Sequence, residues 1–412
     1  MTPWLHIIGI GEDGVAGLSS AARTVLEQAE TIIGGDRHHA LAEGVDAERL
    51  SWPHPFDALI NEITTRRGSR LVILATGDPL WYSVGARIAK AIPAEEICFH
   101  PQLSAFQWAA ARMGWSLADV ETVTAHGRPA AQVIPYFWPT ARLLVLTAGS
   151  ETPGEIARLL EARGYGASEL TVFGSLGGET ESRHSATAAE WAANDPSDIL
   201  PAFNTMAVHC IGAPEVRTSR MPGLPDDAFQ HDGMLTKRAV RAVTLSRLMP
   251  ARGEVLWDIG TGCGSVAIEW MRAARDAVAV GFEHRAERLA MARANAEALG
   301  TPRLCLIDRK VPEAFEVIPA PSGTKADLRK PNAIFIGGGL TEDLAEHCLN
   351  LLPLNGRLVA NAVTLDSEAA LGALQARHGG DLTRLGVQHA QPVGRLRGWK
   401  PAMTVTQWAI ET

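Results

Sequence analysis

The feature that most constrains this chain is a glycine run set between a strand and a helix, Asp258-Ile259-Gly260-Thr261-Gly262-Cys263-Gly264. Residues 254–259 read as a buried strand, and Val266-Ala267-Ile268-Glu269 opens a helix behind the glycines. Alternate glycines let the backbone turn sharply and approach a ligand, with a helix N-terminus facing it. Residues 277–282 read as a second strand ending in Glu283, about twenty residues past the loop, where a carboxylate accepts hydrogen bonds from the ribose of an adenosine cofactor. The spacing separates two cofactors. The nicotinamide motif needs G-x-G-x-x-G, but position 265 is Ser. Asp258, two positions before the first glycine, suits the S-adenosylmethionine variant. A helix is expected from Arg285 to Leu299, with Leu289, Ala292, Ala296 and Leu299 on one face.

Farther on, Ile334-Phe335-Ile336 runs into Gly337-Gly338-Gly339. Three consecutive glycines weaken any regular element, so a close ligand or backbone approach is expected there. The strand's C-terminal end is where open α/β sheets bind ligands.

The N-terminal half has its own glycine turns. His6-Ile7-Ile8-Gly9-Ile10-Gly11 reads as a strand ending in a glycine pair, and residues 71–76 as another opening into Gly77-Asp78-Pro79. Then come His100-Pro101-Gln102-Leu103-Ser104-Ala105 before an alanine-rich helix, Ala125-His126-Gly127-Arg128, and a strand at 142–146 leading into Thr147-Ala148. His126 is a catalytic candidate, although a hydrogen-bonded loop histidine has the same look. Arg128 has the planar fork that grips a carboxylate. His38, His39 and His54 show no metal-ligand spacing, so no metal is assigned.

A length of 412 residues suits two cores. Residues 1–215 carry a formal charge of −11 and residues 216–412 one of +3. The proline- and glycine-rich stretch at 211–227 sits at this boundary. We expect one domain over 1–212, a linker over 213–232 and a second domain over 233–412. Another excursion is expected at 319–327. Neither half has the strong basic balance of a nucleic-acid binder. No stretch has the length of a membrane span, and no secretory signal is evident. Five scattered cysteines without C-x-x-C spacing point to a reducing cytoplasm.

Several motifs of the second half are similar to the decarboxylating precorrin methyltransferases of corrin biosynthesis. They are Met234-Leu235-Thr236-Lys237-Arg238-Ala239-Val240-Arg241-Ala242-Val243-Thr244, the Asp258–Gly264 loop, Phe335-Ile336-Gly337-Gly338-Gly339 and Val359-Ala360-Asn361-Ala362-Val363-Thr364. Two positions depart from that pattern, Ala239 in place of Glu and Arg309 in place of Gly. The motif order of residues 4–212 resembles the tetrapyrrole methylase family. The cluster Gly174–Glu181 matches it less cleanly, with Ser175 where a charged residue is common. The resemblance implies an α/β protein, a two-lobed tetrapyrrole methylase fold followed by a Rossmann-like class I methyltransferase domain. It implies one S-adenosylmethionine site in each half.

By the same resemblance the first site involves Gly9, Gly11, Gly77, Asp78, Pro79, Ser104, Ala105, Leu146, Thr147 and Ala148. The second involves Thr236, Asp258, Gly260, Thr261, Gly262, Cys263, Gly264, Glu283 and Val311. Gly337, Gly338, Gly339 and Asn361 are expected at the substrate, with Asn361 a further catalytic candidate. A substrate with many carboxylates calls for cationic clamps, for which Arg309, Lys310, Arg395, Arg397 and Lys400 are candidates. The tandem order implies methylation of a reduced tetrapyrrole at carbon 5 by the first half, and at carbon 15 with loss of an acetate carboxyl by the second. A homo-oligomer is expected, with no nucleic-acid or membrane partner. The alternatives are a cobalt-containing substrate, a methyltransferase for RNA or protein, a dinucleotide oxidoreductase, and a non-catalytic cofactor-binding regulator.

Overall fold

The computed structural model describes residues 3–214, 218–319 and 326–412. The chain divides into two compact units, Met1–Ala130 with Pro139–Glu215, and Ala131–Trp138 with Val216–Thr412. Most of the excursion expected at 319–327 lies outside the described residues.

The first unit holds two sheets. Strands β1 (Leu5–Ile10), β2 (Thr31–Gly34), β3 (Glu48–Ser51), β4 (Leu71–Thr76) and β5 (Ile97–His100) form a parallel sheet ordered β3-β2-β4-β1-β5. Strand side chains alternate between faces, so Leu71 and Ile73 enter one core while Val72 and Leu74 enter the other. Burial on both faces is why the sequence shows an unbroken apolar run here. Strands β6 (Glu121–Thr124), β7 (Arg142–Leu146), β8 (Glu169–Gly174), β9 (Ser182–Thr187) and β10 (Asn204–His209) form the second sheet, ordered β6-β7-β10-β8-β9. Only β6 and β7 pair in parallel there.

The second unit is built on a seven-stranded sheet. Its strands are β11 (Val255–Ile259), β12 (Val278–Phe282), β13 (Cys305–Ile307), β14 (Ala333–Ile336), β15 (Arg357–Ala362) and β16 (Asp381–Leu385), with β17 (Gln388–Val393) and β18 (Leu396–Pro401) forming a separate hairpin before β19 (Val405–Glu411). The order is β13-β12-β11-β14-β15-β19-β16, parallel up to β15 and antiparallel beyond. Parity again divides the strands, with Val255, Trp257 and Ile259 in one core and Leu256 in the other. The strand order reverses between β11 and β14, and such a switch point opens a crevice at the strands' C-terminal ends.

The expected linker is corrected in part. Residues 223–232 are packed into the second unit, with Leu224 and Phe229 buried in its core. The Glu269 carboxylate accepts the Gly223 and Leu224 N–H groups, and Asn295 exchanges hydrogen bonds with the Gln230 backbone. The segment lacks periodicity because side chains from two helices hold its backbone, not because it is loose. Residues 215–217 of that stretch lie outside the described residues.

Candidate functional site

The C-terminal end of β11 passes directly into the glycine turn. Gly260, Gly262 and Gly264 all have positive φ, at 71°, 57° and 83°. A Cβ on Gly260 would lie 3.0 Å from the Gly338 nitrogen, so the two glycine segments meet backbone to backbone at the switch point. Asp258, buried at the end of β11, accepts hydrogen bonds at Oδ2 from Thr261 Oγ1 at 2.7 Å and from the Ala267 N–H at 3.1 Å. That N–H belongs to the first turn of the helix Ser265–Ala273, so the carboxylate meets the positive end of the helix. Its Oδ1 is buried without a hydrogen-bond partner. Burial pushes the Asp258 carboxyl up to about 6, and the nearby Glu283 charge adds to the shift.

Glu283 follows β12 and is buried. Its Oε1 accepts the N–H groups of His284 at 2.9 Å and Arg285 at 3.0 Å, which fixes the carboxylate at the head of the helix Ala286–Ala298. Asp258, Gly260, Thr261, Gly262, Glu283 and Gly337–Gly339 all line one cavity of about 1040 Å³, together with Thr236, Val311 and Asn361. Lys237, Arg285, Arg288, Arg309 and Lys310 lie on its wall against three carboxylates, Asp258, Glu283 and Asp343. Among the described residues Arg285, Arg309 and Lys310 have no ion-pair partner. The cavity thus combines two buried carboxylates, Asp258 and Glu283, with cations on its wall, which suits a ligand that carries both an ammonium and carboxylates.

Two networks stand behind this wall, built on Arg241 and Thr244 of the 234–244 motif and on Asn361, and their partners are not legible in the sequence. Arg241 is fully buried, pairs with Glu269 at 2.6 Å and Asp226 at 3.0 Å, and donates to the Thr236 and Leu224 carbonyls. It thereby holds the segment 224–236, whose end borders the cavity. Asn361 Nδ2 donates to Thr244 Oγ1 at 3.1 Å, while Gln407 Nε2 donates to Asn361 Oδ1 at 2.9 Å and to Thr244 Oγ1 at 3.0 Å. Asn361 is thus aimed by neighbours on β19 and on the helix Arg238–Leu248. These partners come from distant points of the chain, and no local pattern marks them.

Five expected residues of the second unit fall elsewhere. Cys263 is buried in the core, where burial raises its thiol pKa, and Gly264 caps the following helix against Ala292. Neither lines the cavity. Arg395 and Arg397 stand on the exposed β17–β18 hairpin with Lys400, so only Arg309 and Lys310 of the five clamp candidates reach the cavity wall.

In the first unit the ends of β1 and β4 meet closely. A Cβ on Gly9 would lie 2.0 Å from the Gly77 carbonyl oxygen, so only glycine permits this approach. Asp78 Oδ1 accepts the Leu80 and Trp81 N–H groups at 2.7 and 3.2 Å, which makes its carboxylate a turn former. Ser104 lies against Gly77, and its Oγ is buried without a partner. Gly11, Gly77 and Ala105 line a cleft of only about 40 Å³ with Phe203, Asn204 and Thr205 of the second lobe. Gly9, Asp78, Pro79, Ser104, Leu146, Thr147 and Ala148 do not line it. Thr147 Oγ1 instead donates to Asn204, and Ala148 N–H to Thr152. His126 is exposed, with Nδ1 3.3 Å from the Thr147 carbonyl, and neither it nor Arg128 reaches the cleft. Asn204 was missed because its signal is a fold contact across 57 residues.

A sheet with a glycine-lined switch point, joined to a two-lobed unit with paired glycine turns, defines a two-domain methyltransferase that uses S-adenosylmethionine. The family model for Tetrapyrrole (Corrin/Porphyrin) Methylases matches residues 4–192, and that for the Precorrin methyltransferase domain matches residues 227–412. A precorrin-6Y C(5,15)-methyltransferase [decarboxylating] of Sinorhizobium sp is 42% identical over 412 residues, spanning 99% of this chain and 96% of the relative. The chain belongs to the family of decarboxylating precorrin-6Y C(5,15)-methyltransferases. Two shorter relatives each match less than half of it. A cobalt-precorrin-7 C(5)-methyltransferase of Salmonella typhimurium is 31% identical over 44% of this chain and 89% of its own length. A probable cobalt-precorrin-6B C(15)-methyltransferase (decarboxylating) of Pyrobaculum calidifontis is 32% identical over 46% of this chain and 96% of its own length.

Proposed function

We propose that this chain methylates precorrin-6B at carbons 5 and 15 with two S-adenosylmethionine molecules and removes the ring C acetate carboxyl as carbon dioxide, giving precorrin-8X. The observation that carries the reading is the single cavity that unites the Asp258–Gly262 turn, Glu283 and Gly337–Gly339 under a cationic wall. We assign carbon 15 and the decarboxylation to this second unit, and carbon 5 to the first.

When bound, S-adenosylmethionine supplies an activated methyl group. In the second unit Gly260 and Gly262 admit it closely, and Glu283 is available to its ribose. The unpartnered Asp258 Oδ1 suits its ammonium. Arg285, Arg309 and Lys310 hold substrate carboxylates, and Asn361 lies at the substrate end with its amide fixed by Thr244 and Gln407. Positioning of the reacting carbon at about 3–3.5 Å accounts for most of the acceleration. Decarboxylation needs an electron sink, which a protonated pyrrolenine of the macrocycle provides, and the protein turns the carboxylate out of the ring plane. The first unit's cleft, lined by Gly11, Gly77 and Ala105, measures about 40 Å³, whereas small-molecule pockets measure about 300–1,000 Å³, so we infer that it admits a cofactor only after the lobes part. A reducing cytoplasm accords with the five free cysteines, and a homo-oligomer with the family resemblance.

Incubation of the full chain with methyl-labelled S-adenosylmethionine and precorrin-6B, followed by mass analysis, tests the proposal. The expected product gains two methyl groups and loses one carbon dioxide; absence of both changes overturns it. A parallel arm with the cobalt-loaded substrate identifies which form is preferred.

A further inference from the structure

One face of the first sheet carries a set of donor atoms that methyl transfer does not use. β5 is the edge strand, and it pairs with β1 in parallel so that His6 stands opposite Cys98 and Ile8 opposite His100. Partners in register share a face, and residues two apart on a strand share it too. His6, Cys98 and His100 therefore project together. His6 Nδ1 lies 3.2 Å from His100 Nε2, and the ligand atoms of all three residues lie within 4.8 Å of one another.

These separations match a metal's coordination shell. Tetrahedral zinc, with bonds of about 2.0–2.1 Å to nitrogen and about 2.3 Å to sulfur, places its nitrogen ligands about 3.3 Å apart and nitrogen and sulfur about 3.6 Å apart. The histidine pair already has that spacing, and the thiol needs to close by at most about an ångström. All three residues are half-buried, which leaves an approach for the ion and room for a water.

We propose that His6, Cys98 and His100 form a binding site for a zinc-type divalent cation, completed by one solvent ligand. Binding displaces the Cys98 thiol proton to solvent and leaves a thiolate on the metal. The ion ties the edge strand β5 to β1. β5 runs on into the segment 101–105, of which Leu103 and Ala105 line the first cleft, so the ion fixes the strand that delivers this part of the cleft. Sequence spacing hides the set, because 91 residues separate His6 from the Cys98-Phe99-His100 pair of ligands.

Cobalt(II) titration of the metal-stripped full chain tests the site. One equivalent is expected to give tetrahedral d–d bands and a thiolate-to-cobalt charge-transfer band, both abolished by stoichiometric Zn²⁺. Cys98→Ser removes the charge-transfer band, and both Cys98→Ser and His100→Gln weaken binding at least about tenfold. Cys305→Ser leaves the titration unchanged. Circular dichroism and S-adenosylmethionine binding by the second unit check that the variants are folded. No thiolate band in the wild-type chain, or the same band and affinity in Cys98→Ser, overturns the proposal.

Discussion

The two sites to which we assign the same cofactor have opposite architectures. In the second, a parallel sheet reverses its order between β11 and β14, and a cavity of about 1040 Å³ stands at the reversal. In the first, the glycine turns of one lobe face residues of another, and the space between them is about 40 Å³. A crevice made by strand topology stands open before any ligand arrives. A crevice made by two lobes is only as wide as the contacts across it allow. The second unit should therefore bind its cofactor without backbone movement, and the first only with an opening step.

The sharpest way to break this contrast is to fill the open site. Gly260→Val puts a branched side chain at φ 71° and against Gly338. We expect methylation at carbon 15 and decarboxylation to fall by at least about 100-fold, because displacement by an ångström costs that much. Methylation at carbon 5 should persist, so mass analysis should find a singly methylated product that keeps its carboxyl. Doubly methylated product at the wild-type rate would show that the cavity is not a methyl-transfer site. The wall behind the cavity should matter almost as much for stability. Arg241→Ala strands the buried Glu269 carboxylate, and breaking a buried pair costs about 3–5 kcal/mol. Calorimetry should show one transition lowered and the other unmoved, whereas a uniform shift would mean that the units do not melt separately.

These two residues also mark the limit of what the sequence discloses. Asp258, Gly260, Glu283 and Gly337–Gly339 were legible because each is a local strand-to-loop signal, and parallel sheets gather such ends at one edge. Strands β1, β4, β11, β12 and β14 were legible for a related reason, since two-sided burial writes apolar runs such as Leu71–Leu74. Arg241, Thr244 and Gln407 were hidden because their partners are fold contacts, and a buried arginine looks like any other. The segment 223–232 was misread for the same reason, its backbone being held by Glu269 and Asn295. Arg395 and Arg397 failed differently. A basic pair close to Lys400 says nothing of which surface a hairpin presents.

Protonation offers a middle-sized effect that only the open site should show. The Asp258 carboxyl, raised from 3.8 to about 6 chiefly by burial, is protonated below pH 6. For this group alone the unliganded fold loses stability as pH rises through 6, since the native state holds the proton more tightly than the unfolded chain. Ligand binding runs the other way, because pairing with an ammonium requires the anion. Cofactor affinity in the second unit should fall toward tenfold per pH unit below 6, as read by calorimetric titration, and Asp258→Asn should be weak and flat. A wild-type profile that is level from pH 5 to 7 would remove Asp258 from the contact. The clamp is a similar test on the substrate side. Arg309→Ala with Lys310→Ala should raise KM about tenfold at little cost in kcat, each partly exposed cation contributing roughly 1 kcal/mol or less. Arg395→Ala with Arg397→Ala should leave KM unchanged.

The smallest effect probes the closed site. Arg37 pairs with Glu12 and donates to Thr76 Oγ1 at 3.3 Å, all three belonging to the first lobe, while its guanidinium lies 4.2 Å from the ring centroid of Phe203 on the second. Arg37, Glu12, Thr76 and Phe203 all line the narrow cleft, so this stack spans the gap that a ligand has to widen. A partly exposed cation–π contact contributes about 0.5–1 kcal/mol. Its loss should thus favour the open form by about two- to fivefold. In a Gly260→Val background, which silences the second unit, Arg37→Ala should speed S-adenosylmethionine association by that factor in stopped-flow measurements. Arg37→Ala in the otherwise native chain should leave the fast binding phase of the second unit alone. If the variant instead slows association or weakens affinity, Arg37 touches the ligand and the cleft is narrow for some other reason. Acceleration confined to the slow phase ties the difference between the two sites to a single contact between the lobes.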